Sequence, residues 1–167
     1  DVPLSCGPVS SASETLTLPD MTAQDAACLR CFPALSAVDA TGADCYDALL
    51  AAAEAYPDVT FLWTVDVFGT PVPHTETALD LSDTPISDAA ALTEVLSWFG
   101  GGLSAVDLHG CGLPDAEIFA IQDVFPEIAF GYTTALCGVA AESDVTALDL
   151  SGVQLSDTAA LYRTLPY

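Results

Sequence analysis

The chain has 167 residues, 51% of them apolar, which is enough for a domain with a real core and too apolar for global disorder. It sets 24 acidic residues against 2 basic ones, Arg30 and Arg163, for a formal net charge of −22. Such a surface repels phosphate backbones and anionic membranes, which excludes nucleic acid as a partner and leaves cations, basic proteins and neutral ligands.

The opening stretch, DVPLSCGPVSS, contains no signal peptide and fits a segment that follows a cleaved leader or begins at an arbitrary boundary. No run reaches transmembrane length. LTLPDMTA at 16–23 reads as a faint further copy of a unit repeated along the chain, and a helix is expected over Asp25–Phe32, with Thr22 and Asp25 spelling a capping box. At its end Cys28 and Cys31 form C-x-x-C. No second such pair exists, and His74 and His109 lie elsewhere. Of the six cysteines (Cys6, Cys28, Cys31, Cys45, Cys111, Cys137), Cys28 and Cys31 therefore read as small buried side chains rather than as a metal or redox centre, and Cys111 as a buried turn residue. The even number of cysteines permits disulfides without requiring them.

A strand over Leu35–Asp39 leads to a helix over Tyr46–Tyr56, then to a long aromatic strand over Val59–Val67. The looser FGTPVPHTET that follows reads as an extra turn or short hairpin. Next come a strand over Ala78–Leu81, a helix over Asp88–Phe99 with Ser87 as N-cap, and a strand over Leu103–Leu108. A helix over Asp115–Phe125, a second aromatic strand over Ile128–Leu136, a strand over Thr146–Leu150 and a helix over Asp157–Leu165 with Ser156 as N-cap complete the set. The helix stops repeat as CFP, YPD, WFGG, FPE and LPY, because proline cannot continue a helix and drives the residue before it extended.

Self-similarity dominates the chain. LSAVDATG at 35–42 returns as LSAVDLHG at 103–110, AYPDVTFLW at 55–63 as VFPEIAFGY at 124–132, and TALDLSDTPISDAAAL at 77–92 as TALDLSGVQLSDTAAL at 146–161. The large units run over about 14–75 and 76–144, with an incomplete 145–167, in one repeat domain. RTLPY ends where other units place a helix stop, which expects either a longer array or a partner at the end.

Laid in register, Leu103, Val106, Leu108, Cys111 and Leu113 fill the frame L-x-x-L-x-L-x-x-C-x-L. Leu35, Val38, Ala40, Ala43 and Cys45 fill it again, as do Leu79, Leu81, Thr84 and Ile86, and then Val145, Leu148, Leu150, Val153 and Leu155. This pattern resembles the leucine-rich repeat family, in a divergent form similar to bacterial surface or secreted proteins. The resemblance implies an α/β solenoid with a parallel concave sheet and helices on the convex side, and an extracellular or cell-surface location.

In that frame Asp39, Asp80, Asp107 and Asp149 occupy one equivalent outward position, stacked as a column. Exposure to water and salt, a bridging cation such as calcium, or basic groups on a partner would each relieve the repulsion. Phe61 with Trp63, and Phe130 with Tyr132, form two equivalent aromatic pairs, read as core or as stacking platforms. No catalytic constellation stands out: His74 sits in a Pro-rich loop, and His109 shares a short strand-turn with Asp107 and Ser104. The expected function is a non-enzymatic module binding a protein or glycan through the acidic concave sheet, without a cofactor unless calcium. The alternative is a spacer segment of a larger surface protein, and a hydrolase comes third.

Overall fold

The computed structural model describes residues 1–136, 139–147, 149 and 151–152. It forms two compact units, Asp1–Glu76 with Glu94–Gly102, and Thr77–Thr93 with the described residues from Leu103 onward.

In the first unit, strands β1 (Val2–Leu4) and β2 (Gly7–Val9) pair as an antiparallel hairpin. Strand β3 (Thr15–Thr17), helix α1 (Ala23–Cys28) with a 3₁₀ turn at Leu29–Cys31, strand β4 (Ala37–Asp39), helix α2 (Tyr46–Ala55) and strand β5 (Thr60–Leu62) follow. β3, β4 and β5 make a parallel three-stranded sheet in which Leu16, Val38 and Phe61 share one register row, all buried. Strands β6 (Thr64–Val67) and β7 (Thr70–Pro73) then fold back as a hairpin. Its two-residue turn has Phe68 at φ 50° and Gly69 at φ 89°, with the Gly69 N–H donating to Asp66 Oδ1 at 2.8 Å.

The second unit repeats this order. Strand β8 (Ala78–Asp80), helix α3 (Ala89–Ser97, whose last turn belongs to the first unit), strand β9 (Ala105–Leu108), helix α4 (Asp115–Val124), strand β10 (Ala129–Leu136) and strand β11 (Val139–Glu142) follow. β8, β9 and the first half of β10 are parallel, with Leu79, Val106 and Phe130 in one row. The second half of β10 pairs antiparallel with β11. The large repeat is thus a repeat of a small α/β unit that ends in a hairpin.

The leucine-rich-repeat-like solenoid does not form. The strands fall into four separate sheets of two, three, two and four strands, a mixed α/β fold with no single concave parallel sheet among the described residues. The reason is local. After β5 the chain continues into the β6–β7 hairpin, and β7 carries Pro71 and Pro73, which have no N–H to offer a further strand. The leucine frame fixes which side chains turn inward, a condition that small α/β units meet as well as a solenoid does.

Individual elements follow their expected chemistry closely. The predicted helices over Asp25–Phe32, Tyr46–Tyr56, Asp88–Phe99 and Asp115–Phe125 all occur: the second and fourth are one residue shorter, the third is three shorter, and the first starts at Ala23 and passes into the 3₁₀ turn that ends at Cys31. Phe32, Tyr56 and Phe125, each preceding a proline, share one non-helical conformation (φ −115°, −125° and −120°; ψ 80°, 69° and 67°) and end their helical segments. The cap of α3 is Asp88 rather than Ser87: its Oδ1 accepts from the Ala90 and Ala91 N–H groups at 2.9 and 3.1 Å. The strand expected over Val59–Val67 is broken at Trp63 into β5 and β6. The expected helix over 157–165, Ser156, Cys137 and, of the repeat copy at 145–155, Leu148, Leu150, Val153, Gln154 and Leu155 lie outside the described residues.

Cys111 is buried as expected, whereas Cys28 and Cys31 depart from their expected burial. Of the five described cysteines, Cys6 and Cys31 are exposed, Cys28 and Cys45 half-buried, and all five are free thiols. Burial pushes the Cys45 thiol above its ordinary range. In the second unit the buried Thr134 hydroxyl donates to the Asp115 carboxylate at the start of α4. Asp115→Ala leaves that hydroxyl unsatisfied and removes an acid from a helix N-terminus, so it is expected to cost about 1–2 kcal/mol in urea unfolding.

Candidate metal centre

The repeated aspartate has a local structural job. Asp39 Oδ1 accepts the Thr41 N–H at 3.0 Å, Asp80 Oδ1 the Ser82 N–H at 3.0 Å, Asp107 Oδ1 the His109 N–H at 3.0 Å, and Asp149 Oδ1 the Ser151 N–H at 2.8 Å. Each is an Asx turn, and at Asp39, Asp80 and Asp107 it lies at the end of a strand. Hydrogen bonds from the Thr41 hydroxyl and N–H hold the Asp39 carboxyl below its usual range. Those from the Ser82 hydroxyl and N–H do so for Asp80, and the Ser151 N–H and hydroxyl for Asp149. Asp80 and Asp107 are direct neighbours across β8 and β9, while Asp39 lies in the other sheet, beside Thr17 and Leu62. The column is therefore divided, and each described carboxylate is turned toward its own loop.

At the third copy the turn differs. Where the others place Thr41, Ser82 and Ser151, the chain places His109. The Asp107 carboxylate meets its ring as well as its backbone, with Oδ1 at 2.6 Å from Nδ1. The β10–β11 hairpin brings two further acids to the other ring nitrogen: Glu142 Oε2 stands 3.0 Å and Asp144 Oδ1 3.9 Å from Nε2. Thr133, on β10, donates its hydroxyl to Glu142 Oε2 at 3.5 Å and accepts the Gly110 N–H at 3.3 Å. The His109 side chain is 22% exposed, but Nε2 itself is sealed from solvent and makes no aligned hydrogen bond among the described residues.

His109, Glu142 and Asp144 offer three ligand atoms within 4.8 Å of one another, and this cluster could coordinate a divalent metal ion. With Nδ1–H given to Asp107, the lone pair of Nε2 points among carboxylate oxygens. A cation held there would answer the Nε2 lone pair and the carboxylates together; a proton on Nε2, donated to Glu142, would answer the same geometry without a metal. Donors at about 2.0–2.1 Å from a tetrahedral ion lie roughly 3.3 Å apart, between the two distances seen here.

The other expected site residues have structural surroundings. Phe61, Trp63 and Tyr132 are 5%, 4% and 3% exposed, Tyr132 meeting Phe119 edge-on at 6.0 Å; Phe130 is half-buried. Ser104, beside His109 in sequence, gives its hydroxyl to the Thr77 carbonyl at 2.9 Å. His74 is partnered: it stacks on Trp63 at 3.5 Å between centroids and 14° between planes, with Nδ1 3.2 Å from the Trp63 carbonyl. The Trp63 indole N–H in turn donates to the Trp98 carbonyl at 3.1 Å, and Trp98 stacks on Tyr46 at 4.3 Å.

Burial pushes the His74 imidazole below its ordinary value of 6.5, against a smaller opposing effect of its hydrogen bond to Trp63. The unfolded chain then takes up the proton first on acidification. The stability given by the neutral ring is complete above about pH 6.5 and is lost as pH falls from there toward the folded value. His74→Phe, which keeps a stacking ring, is expected to show a smaller drop in melting temperature than the native chain between pH 7.5 and 5.

Glu142 and Asp144 were not visible as site residues in the sequence, since AESD reads as a loose connection until β11 is paired with β10. One signal was present: the D-x-T or D-x-S of three copies becomes D-x-H in the remaining one. No described helix is long and apolar enough to cross a membrane. No family model, no curated protein and no solved structure matches the chain.

Proposed function

We propose that the second unit is a non-catalytic divalent-cation-binding module, with His109 Nε2, Glu142 and Asp144 as its protein ligands. One observation carries this reading: a solvent-sealed imidazole nitrogen with no aligned hydrogen bond stands 3.0 Å from a carboxylate oxygen. A nitrogen ligand beside two carboxylates suits a first-row ion of the zinc class. Calcium prefers six to eight oxygens, and three protein ligands supply too few.

Beside the cluster an open groove of about 550 Å³ crosses the face of β8, β9 and β10, lined in part by Asp80, Asp107, Phe130 and Asp144. That groove supports a second reading, a binding face for a protein or glycan.

The test is calorimetric titration of chelator-stripped protein with Zn²⁺, Mn²⁺, Ca²⁺ and Mg²⁺ at pH 7.5 and 0.15 M salt. One saturable zinc site per chain, at least about tenfold tighter than calcium, is expected. Weak binding at many sites, alike for all four ions, would mean that the acidic surface merely attracts cations.

A further inference from the structure

The site's supporting residues emerge from comparing the four copies of the same turn. In every copy the aspartate accepts the N–H two residues on, and in the first three it does so at the end of a strand. In the second copy the side chain at that place, Ser82, also returns its hydroxyl to Asp80 Oδ1 at 2.6 Å, so the carboxylate is answered locally. In the third copy His109 takes the same place, and its Nδ1 lies 2.6 Å from Asp107 Oδ1. The same backbone turn that elsewhere holds a hydroxyl here holds an imidazole by one nitrogen and presents the other.

An imidazole needs more room than a hydroxyl, and the neighbouring strand supplies it. Gly131 is the register partner of Asp107 on β10. A Cβ built on Gly131 would stand 2.7 Å from His109 Cε1, 3.2 Å from Nδ1 and 3.6 Å from Asp107 Oδ1. The ring lies over this glycine, in space any other residue would occupy. Its φ is outside the left-handed region, so the strand backbone itself would accept alanine there.

We infer that Asp107 and Gly131 are the positioning residues of the metal centre: Asp107 holds His109 in the Nδ1–H form with Nε2 free to ligate, and Gly131 leaves the space in which the ring lies. This rests on the metal-binding reading for its purpose but not for its geometry. A hydrogen bond at one ring nitrogen sets which nitrogen is left for the metal, and loss of such an outer partner typically weakens metal binding 10- to 100-fold.

Two measurements test it. The first is long-range ¹H–¹⁵N NMR of the metal-free protein at pH 8, which reads the tautomer directly. His109 is expected as Nδ1–H in the native chain and shifted toward Nε2–H in Asp107→Ala; a native Nε2–H tautomer would overturn the inference. The second is zinc affinity by chelator competition. Asp107→Asn keeps an acceptor for the His109 N–H, so the turn persists, and is expected to bind about tenfold more weakly. Gly131→Ala is expected to lose about 10- to 100-fold. Since the collision is with the ring alone, Gly131→Ala should change thermal stability little in a His109→Ala background; a large further loss there would make Gly131 a backbone requirement instead. Native-like zinc affinity in both single variants would refute the positioning role. A native Nδ1–H tautomer in a chain that binds no zinc would uphold what holds the ring while removing the metal reading.

Discussion

Asp25→Ala should be among the most destabilising single substitutions in the first unit, at about 2–4 kcal/mol, with a fall in melting temperature of about 10 °C or more. Asp25 is 3% exposed, yet it is fully answered. Its Oδ1 accepts the Ser5 N–H at 2.8 Å, and its Oδ2 accepts the Thr22 N–H at 2.8 Å and the Thr22 hydroxyl at 2.7 Å. Its own N–H donates to Thr22 Oγ1 at 3.3 Å, completing a capping box at the start of α1. Alanine would remove the returning half of the capping box, strand the Ser5 and Thr22 N–H donors in one step, and free the segment after β1 from α1. Burial alone pushes the carboxyl up, but the donors of Thr22 and Ser5 together outweigh it and hold it below the ordinary value of 3.8. The contribution is therefore complete above about pH 4 and is lost as pH falls through the folded value. Asp25→Asn, which retains one acceptor oxygen, should lose less and should flatten the acid limb of the stability curve. Equal stability of native and Asp25→Ala chains in urea at pH 7 would show that the buried carboxylate does not anchor α1.

His109→Ala should abolish specific zinc binding, a loss of at least about 100-fold, because it removes the one nitrogen ligand around which the carboxylates gather. Glu142→Gln should lose about tenfold or more, since the amide keeps the shape and gives up the charge at 3.0 Å from Nε2. Asp144, at 3.9 Å and largely exposed, should matter less. In the native chain saturating zinc should raise the melting temperature, because the ion would tie the turn after β9 to the β10–β11 hairpin and binds only the folded arrangement. A native-like zinc-induced rise in His109→Ala would locate the binding elsewhere.

Much of the local structure could be read from residue order, because it rests on short-range chemistry. The Thr22–Asp25 box, the aromatic–proline stops at Phe32, Tyr56 and Phe125, and the alternation that buries Val38 and Val106 all depend on neighbours within a few positions. The repeat was equally plain, and both copies run in the same order from parallel strands to a closing hairpin. Which strands share a sheet was not legible. A leucine at a frame position must be buried, but the frame does not say against what, and the leucines of a solenoid and of two small α/β units have the same spelling. Pro71 and Pro73 carried the needed hint, since a strand with those residues cannot pass a ladder onward.

The aspartates teach a related lesson. Their equal spacing was read as a column facing a partner, when D-x-T and D-x-S also spell an Asx turn. Once the turn explains three of them, the copy written D-x-H becomes the informative one. Its acidic partners could not be found that way, because Glu142 and Asp144 reach His109 only through the pairing of β11 with β10.

X-ray absorption at the zinc edge of the one-to-one complex tests the central claim most directly. The reading predicts light-atom ligands at about 2.0–2.1 Å with the more distant scattering of a single imidazole, lost in His109→Ala. Oxygen ligands alone, unchanged in that variant, would contradict it and leave zinc as one more counter-ion on a highly acidic surface.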